Sequence, residues 1–445
     1  WIATIGIMVL CGLFSVGSMN IEGFSSADNI KSMLLFASFL GIASVGQTLV
    51  ALLGGLDLSI PFIIGAANVG LRSEHWYLQL GGSFVDVDTY RMSKDFRPTA
   101  TENGGTRDNA YREDWRVSAK LGYMPNKTDE YALGYIWQRG EKGNPVYAGN
   151  LPPAQQPRRF WQWPQWDKQT IYFIGHTQLG KDTWIKERLY YDRFINSLFA
   201  YNNAAYNTQN PPQGFQSYYD DYTLGGSLEF GTKFGDKNTL KAALHAKFDR
   251  HNEHNQGAPY YVFEDRTYSL GIEDTHQFTE RFSVTLGASY DRRDVLEAVD
   301  TNTGAGLGGD SFSAFNPQLG LFYKLPEHGT FHATVAQKSR FPTIKDRYSY
   351  RLGAAIPNPN LEPERAIHYD LGYDGKVAKD LSIHASLFAA MIEDTIQRVD
   401  NVLPGTFQLQ NVGKSRHLGT ELGFDYKPCD ALQFGLNYTY LDRKN

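Results

Sequence analysis

Cysteine is nearly missing from this sequence. Only Cys11 and Cys429 occur in 445 residues, too few for a disulfide framework, so the fold is held without covalent staples. An excess of positive charge is missing too. Lys and Arg number 43 against 48 Asp and Glu, a net charge of −5, and that balance argues against nucleic acid as a partner. The chain has no phosphate-binding GxxxxGK[ST] loop, no GxSxG elbow and no HExxH helix. The string Gly304-Ala305-Gly306-Leu307-Gly308-Gly309 spells a dinucleotide pattern. It falls in a polar loop between strands, with no helix to receive a pyrophosphate. No enzyme and no cofactor are expected.

A third shortage is local. Residues 1–71 carry only four charged side chains, Glu22, Asp28, Lys31 and Asp57, and none of the 27 tyrosines. From Arg72 onward charge and tyrosine are frequent. A shift that abrupt marks a boundary, placing one unit at 1–71 and another at 72–445. Trp1–Met19 and Ser32–Leu56 are uncharged, mostly apolar runs of 19 and 25 residues. Each suffices to cross a bilayer as a helix, which takes about 20 residues. The first lacks the basic flank of a signal peptide and reads as an inner-membrane helix. Leu58–Leu71, interrupted by Pro61, reads as a re-entrant piece or the start of another span.

After residue 71 the period becomes two. Trp115, Val117, Ala119, Leu121 and Tyr123 alternate with polar or small residues, as do Leu240, Ala242, Leu244, Ala246 and Phe248. The same holds for Phe282, Val284, Leu286, Ala288 and Tyr290, and for Leu432, Phe434, Leu436, Tyr438 and Tyr440. Strict alternation over about ten residues, with aromatics at the ends of the apolar face, is the pattern of a transmembrane β-barrel strand. A soluble sandwich would have shorter strands and no use for so many terminal aromatics.

Connections alternate short and long. Short ones fall at 125–130, 179–183, 235–239, 278–280, 326–329, 376–380 and 428–431. Long ones fall at 91–112, 140–168, 199–220, 252–265, 296–312, 341–363 and 401–414. Barrels of outer membranes have short periplasmic turns and long external loops, so the pattern assigns an orientation. Fifteen strands are expected, starting at His75–Tyr90. Single-chain bacterial barrels close on even counts, so a partial barrel is expected.

Two resemblances emerge from particular strings. Ser38–Pro61, with Gly41–Gly46, Gln47-Thr48 and Gly54-Gly55-Leu56-Asp57-Leu58-Ser59, resembles the early membrane segments of ribose-type sugar ABC permeases. Asn316-Pro317-Gln318, Lys338–Thr343, Asn358–Glu364, Ile392–Ile396, Asn411–Arg416, Gly419–Leu422 and Asn437–Asp442 together resemble the C-terminal half of TonB-dependent receptor barrels. That second family has about 22 strands and a plugged lumen. It implies that about 15 are present here, with the plug and the TonB-contacting box absent. The fold expected is therefore an all-β membrane protein, a partial antiparallel barrel, preceded by a helical transmembrane segment.

The receptor resemblance implies energy-coupled uptake of a scarce small ligand such as a ferric siderophore, with a TonB-type complex and membrane lipid as partners. It implies an outer-membrane location for 72–445, while the N-terminal segment reads as inner membrane. Competing readings are a sugar-importer permease subunit, a barrel protease or lipase, a diffusion porin, or a chimera joined near Gly70–Arg72 with no single function. For binding, Arg158, Arg159, Trp161, Trp163 and Trp166 offer charge and aromatic faces to an anionic chelate, against the simpler reading of an interfacial girdle. His251 and His254 suggest a haem or metal contact, but their spacing fits no metal motif, and a solvated loop tip is the simpler reading. Tyr218 and Tyr219, next to Asp220 and Asp221, carry the same two readings. No resident metal is expected.

Overall fold

The computed structural model describes residues 63–99, 101–149, 159–351 and 354–444. The permease-like string and both long apolar runs lie outside the described residues, as does Arg158. Among the described residues no helix is long and apolar enough to cross a membrane, which leaves strands as a means of crossing untouched.

The first described element, β1, is Ile63–Arg72, a strand where the sequence pattern suggested a helical fragment to residue 71. Local pattern explains the difference. Ala67, Val69 and Leu71 alternate with Asn68, Gly70 and Arg72, which is period two. β1 pairs antiparallel with β2 (Trp76–Val87), from Arg72↔Tyr77 to Ile63↔Asp86. The expected join at Gly70–Arg72 thus falls inside a hairpin.

Next come β3 (Arg112–Tyr123), β4 (Glu130–Asn144), β5 (Phe160–Gln178) and β6 (Thr183–Tyr201). Then follow β7 (Phe215–Phe234), β8 (Asn238–Asn255), β9 (Tyr261–Gln277) and β10 (Phe282–Glu297). β11 (Phe312–Leu325) and β12 (Gly329–Arg340) lead to a five-residue helix, α1 (Ile344–Tyr348), and a two-residue strand, β13 (Ala355–Ile356). β14 (Glu364–Ala378), β15 (Leu381–Asp400), β16 (Phe407–Cys429) and β17 (Leu432–Lys444) complete the sheet. From Trp76 onward the long strands number fifteen, eleven through β12 and four from β14, as the turn pattern predicted. Neighbours pair antiparallel along the chain; β13 alone of the described strands pairs in parallel, with β16.

The described chain divides into two compact units. In one, comprising loop segments, Arg107 pairs with Glu102, which is 2% exposed, and its other nitrogen donates to the Val146 carbonyl. The other unit is the sheet. Its short turns match those expected; at the β7–β8 turn Gly235 has φ 60°, a conformation that favours glycine. Its long connections are markedly shorter than expected at four places. The connection 140–168 shrinks to 145–159 and 199–220 to 202–214. The stretch 252–265 is mostly strand, leaving five residues between β8 and β9, 256–260, and 401–414 shrinks to 401–406. These strands continue past the apolar belt, where both faces are polar and alternation no longer reports them.

One face of the sheet is an exposed apolar surface. Leu189 is 61% exposed, Leu270 59% and Leu286 60%, and Leu228, Leu244 and Leu270 stand in register on successive strands. Aromatics edge this belt. Trp76, Tyr123, Phe278, Phe331 and Phe434 are exposed near the short turns, and Trp115, Tyr135, Tyr191, Tyr268, Tyr290 and Phe315 near the opposite ends. Between Tyr123 and Trp115 lie eight residue steps of β3, about 26 Å along the strand, close to the apolar height of an outer-membrane barrel.

Candidate functional site

Beyond the second aromatic row, at the long-loop end, the polar face is covered by the β12–β14 connection. Its helix, α1, starts where Pro342 sets the backbone and Thr343 caps. The Thr343 hydroxyl accepts from the Asp346 amide, and Asp346 accepts in return from the Thr343 amide, both at 3.1 Å, a capping box that satisfies two first-turn donors. The helix lays Tyr348 against Phe263 of β9 (5.4 Å between ring centroids), with Ala298, Val295, Leu307 and Ile344 around it.

Charge is locked beneath this small core. Arg347, fully buried, pairs with Asp265 of β9 and donates to the Tyr348 hydroxyl at 3.0 Å. Arg293 of β10, 3% exposed, donates one nitrogen to the Pro342 carbonyl. Its Nε and second Nη find no hydrogen-bond partner among the described residues, nor does Asp265 Oδ1. Arg347 alone holds the Asp265 carboxylate, and no carboxylate lies within ion-pair distance of Arg293 among the described residues. Burial, and then the neighbouring Arg347, push Arg293 down to about 10, so the local charge is incompletely balanced.

A cavity of about 900 Å³ opens beside this cluster, lined among others by Lys168, Asp192, Lys247, Asp249, His251, Arg293 and Lys345. Lys247 is paired with Asp249 at 2.7 Å. Lys345 instead lies over the Tyr219 ring, 4.5 Å from its centroid. No carboxylate lies within ion-pair distance of Lys168 or Lys345 among the described residues. The chamber is of a size suited to a compact ligand, and against Lys168, Arg293 and Lys345 it sets one carboxylate without a cation partner among the described residues, Asp192, which accepts from the Thr170 hydroxyl.

His251, read above as part of a solvated loop tip, is on β8 and 8% exposed. It reaches Asp221 at 2.6 Å and Glu253 at 3.2 Å, one carboxylate on each ring nitrogen. Burial alone would lower its pKa; the two carboxylates outweigh that and hold it at about 9. The correction has a simple cause: β7 and β8 outlast the apolar belt, so Tyr218–Asp221 and His251–His254 face one another across a strand pair. Tyr219 packs edge-on to His251 and is pushed up to about 12 by burial and then by Glu253. Tyr218 stacks on His254 at 5.0 Å. Among the described residues no group of three metal-ligating side chains could hold a metal ion.

The Trp cluster is likewise on strand rather than loop. Trp161, Trp163 and Trp166 form an edge-to-face chain on β5, at 6.1 and 6.2 Å. Arg159 lies over Trp161 at 4.8 Å, and Lys142 of β4 over Trp166 at 3.5 Å. On β5 the exposed apolar belt reaches Ile171. Trp161 stands ten positions further, so the cluster sits beyond the belt edge where a girdle would lie. It is a separate feature from the cavity under α1.

Residues 114–445 match the family described as TonB dependent receptor-like, beta-barrel. The chain belongs to the TonB-dependent receptor family. An uncharacterized TonB-dependent receptor of Haemophilus influenzae is 29% identical over 199 residues, 44% of this chain and 53% of that protein. In fold the chain is similar to the copper transporter OprC (TM-score 0.67, 18% identity, 87% of this chain and 61% of that one). It is similar also to the FrpB iron transporter of Neisseria meningitidis (TM-score 0.65, 16% identity, 85% and 59%). A third is the Serratia marcescens hemophore receptor HasR (TM-score 0.66, 16% identity, 86% and 61%). The chain thus spans about three fifths or less of these relatives. An outer-membrane location goes with the family, whose members are receptors and transporters rather than enzymes.

Within this TonB-dependent receptor barrel, sequence reading missed Asp265, Arg293, Lys345 and Arg347. The Lys338–Thr343 string marked the family, but its partner Arg293 lies 49 residues from Pro342, and Asp265 lies 82 from Arg347. One signal was available. Arg292-Arg293 follows Tyr290 closely, so one of two adjacent arginines past the aromatic row had to point to the polar face.

Proposed function

We propose that this chain serves TonB-dependent, energy-coupled uptake of a scarce anionic ligand, such as a ferric siderophore, held at the long-loop end facing outside the cell. The cavity beneath α1 carries the reading, because Lys168, Arg293 and Lys345 outnumber Asp192, the one lining carboxylate without a cation partner among the described residues. Relatives of the same fold are named for copper, iron and haem-carrying cargo, which fits a metal-bearing ligand. Arg159, Trp161, Trp163 and Trp166 form a second contact nearer the loop, suited to capture through charge and aromatic faces, and Arg158 is assigned to it from the sequence alone. The histidines His251 and His254 serve structure, as do Tyr218 and Tyr219. The sugar-permease alternative for residues 1–71 rests on the 38–61 string alone.

The test is uptake of ferric chelates by cells carrying the full-length receptor. Lys168→Gln with Lys345→Gln is expected to lower uptake of an anionic chelate at least about tenfold, the loss of two charge-assisted contacts, and alanine at Arg159 and Trp161 to weaken capture several-fold. His254→Ala is expected to change neither. Unchanged uptake in the lysine double variant would refute the cavity as the binding place.

A further inference from the structure

The loop unit holds chemistry that ligand uptake does not use. Asn103-Gly104 is the one Asn-Gly step in the sequence, and it lies in the connection between β2 and β3. With no side chain on the glycine, its amide nitrogen is free to approach the side-chain carbonyl carbon of the asparagine before it. Asn103 is exposed, and its side-chain amide has no hydrogen-bond partner among the described residues. Gly104 and Gly105 follow at φ 87° and 84°, a bend that favours glycine at both positions.

The residue before this step organises the turn. The Glu102 carboxylate, paired with Arg107, accepts from the Gly104 amide at 3.3 Å and from the Asp108 amide at 3.2 Å. Burial would raise its pKa; Arg107 and the two amides outweigh that and hold it below the usual carboxylate range, so it is ionised near neutrality. The Thr101 hydroxyl donates to the Tyr147 carbonyl at 2.7 Å, which anchors the segment on its other side. The one backbone nitrogen placed to attack Asn103 therefore aims its hydrogen at a fixed, ionised carboxylate. A peptide N–H lies in the peptide plane, whereas attack on carbon uses the electron density above that plane. The carboxylate takes the proton without standing in the way.

We propose that Asn103 is a site of spontaneous deamidation, with Glu102 as the base. The Gly104 nitrogen gives its proton to Glu102 and bonds to Cγ of Asn103. The Cγ–Nδ2 bond then breaks, and ammonia leaves with the proton that Glu102 returns. Water opens the cyclic imide at either carbonyl. One opening leaves aspartate on the ordinary backbone, and the other leaves isoaspartate, with the chain routed through Cβ. Either product adds a negative charge beside Glu102. Isoaspartate also lengthens the main chain by one carbon between Glu102 and Gly104, which draws the Gly104 amide off the carboxylate. The hold of Arg107 on Glu102 and on the Val146 carbonyl loosens with it.

The experiment ages the full-length receptor in mild detergent at pH 8 and follows each asparagine by peptide mapping, with isoaspartate told from aspartate by its fragmentation. Asn103 is expected to convert at least about tenfold faster than any other asparagine, the equivalent of about 1.4 kcal/mol of barrier. Conversion no faster than at the other asparagines overturns the site. In urea, where Glu102 no longer holds Gly104, Asn103 is expected to convert several-fold more slowly. Glu102→Gln is expected to slow the folded receptor likewise. A loosened loop alone would speed the reaction, so slowing in this variant cannot come from misfolding, and an equal or faster rate overturns the role of Glu102. Aged receptor is expected to be cut by trypsin after Arg107 more readily than fresh receptor, and Asn103→Gln to show no such change with age. Equal ageing of the two overturns the link from deamidation to the loop. Chelate uptake enters none of these readouts, so the proposed function stands or falls separately.

Discussion

His251 gives the sharpest stability test. Burial would lower its pKa, yet the folded value, about 9, exceeds the ordinary 6.5 because Asp221 and Glu253 both accept from the ring. A group raised on folding stabilises the fold while protonated. The contribution is full below about pH 6.5, shrinks as pH rises, and is gone once pH passes the folded value near 9. A rise of about 2.5, at about 1.4 kcal/mol for each pH unit, is on the order of 3 kcal/mol. Roughly 1 kcal/mol of it remains at pH 8. Solvent screening is slight, because the residue is 8% exposed. The perturbation is His251→Gln, which removes the charge and leaves two carboxylates facing each other beside Tyr219 and Phe263. Tyr219, pushed up to about 12, stays neutral throughout the range. The assay is urea unfolding of both proteins in detergent micelles, followed by tryptophan fluorescence at pH 6, 8 and 10. The stability difference should be largest at pH 6 and close to its minimum at pH 10. A difference independent of pH would show that His251 is not held protonated between its carboxylates.

Removing one partner of the ion pair under α1 has a similar logic. Arg347→Met strands a buried Asp265 and should cost about 3–5 kcal/mol, while Arg347→Met with Asp265→Asn should cost clearly less than the two single changes added; strict additivity in urea midpoints would refute the pairing. Orientation is checked by impermeant thiol labelling of intact cells, with single cysteines at Ala354 and at Glu327 in a background carrying both Cys11→Ser and Cys429→Ser. Label is expected at position 354 and not at 327, and the reverse would invert the barrel. Cys429, exposed near the short β16–β17 turn, should also escape labelling in the unaltered receptor.

The strands legible in the sequence are those the membrane makes legible. Lipid on one face and polar groups on the other force apolar and polar residues to alternate, so β3, β8, β10 and β17 could be drawn from the chain, with every short turn between them. Past the aromatic rows that constraint ends. Water meets both faces, and pairing continues through contacts with no hydrophobic period, such as Arg250 with Glu264 and Arg193 with Asp220. Residues 252–265 and 401–414 therefore look like loops in the sequence, and His251 like a loop tip. The same loss of constraint hides the cavity. Its charges come from β5 to β10 and α1, and nothing local distinguishes Arg293, which is buried, from Arg292, which is 47% exposed at the side chain. What separates them is parity. Counting in twos from Tyr290, a residue of the lipid face, puts Arg292 outward and Arg293 on the polar face, and the same count from Phe248 puts Arg250 outward and His251 inward. The alternation that lipid imposes on a strand therefore continues as geometry after it has ceased as composition, and for as long as the strand stays paired it sorts the charged residues of this site by face.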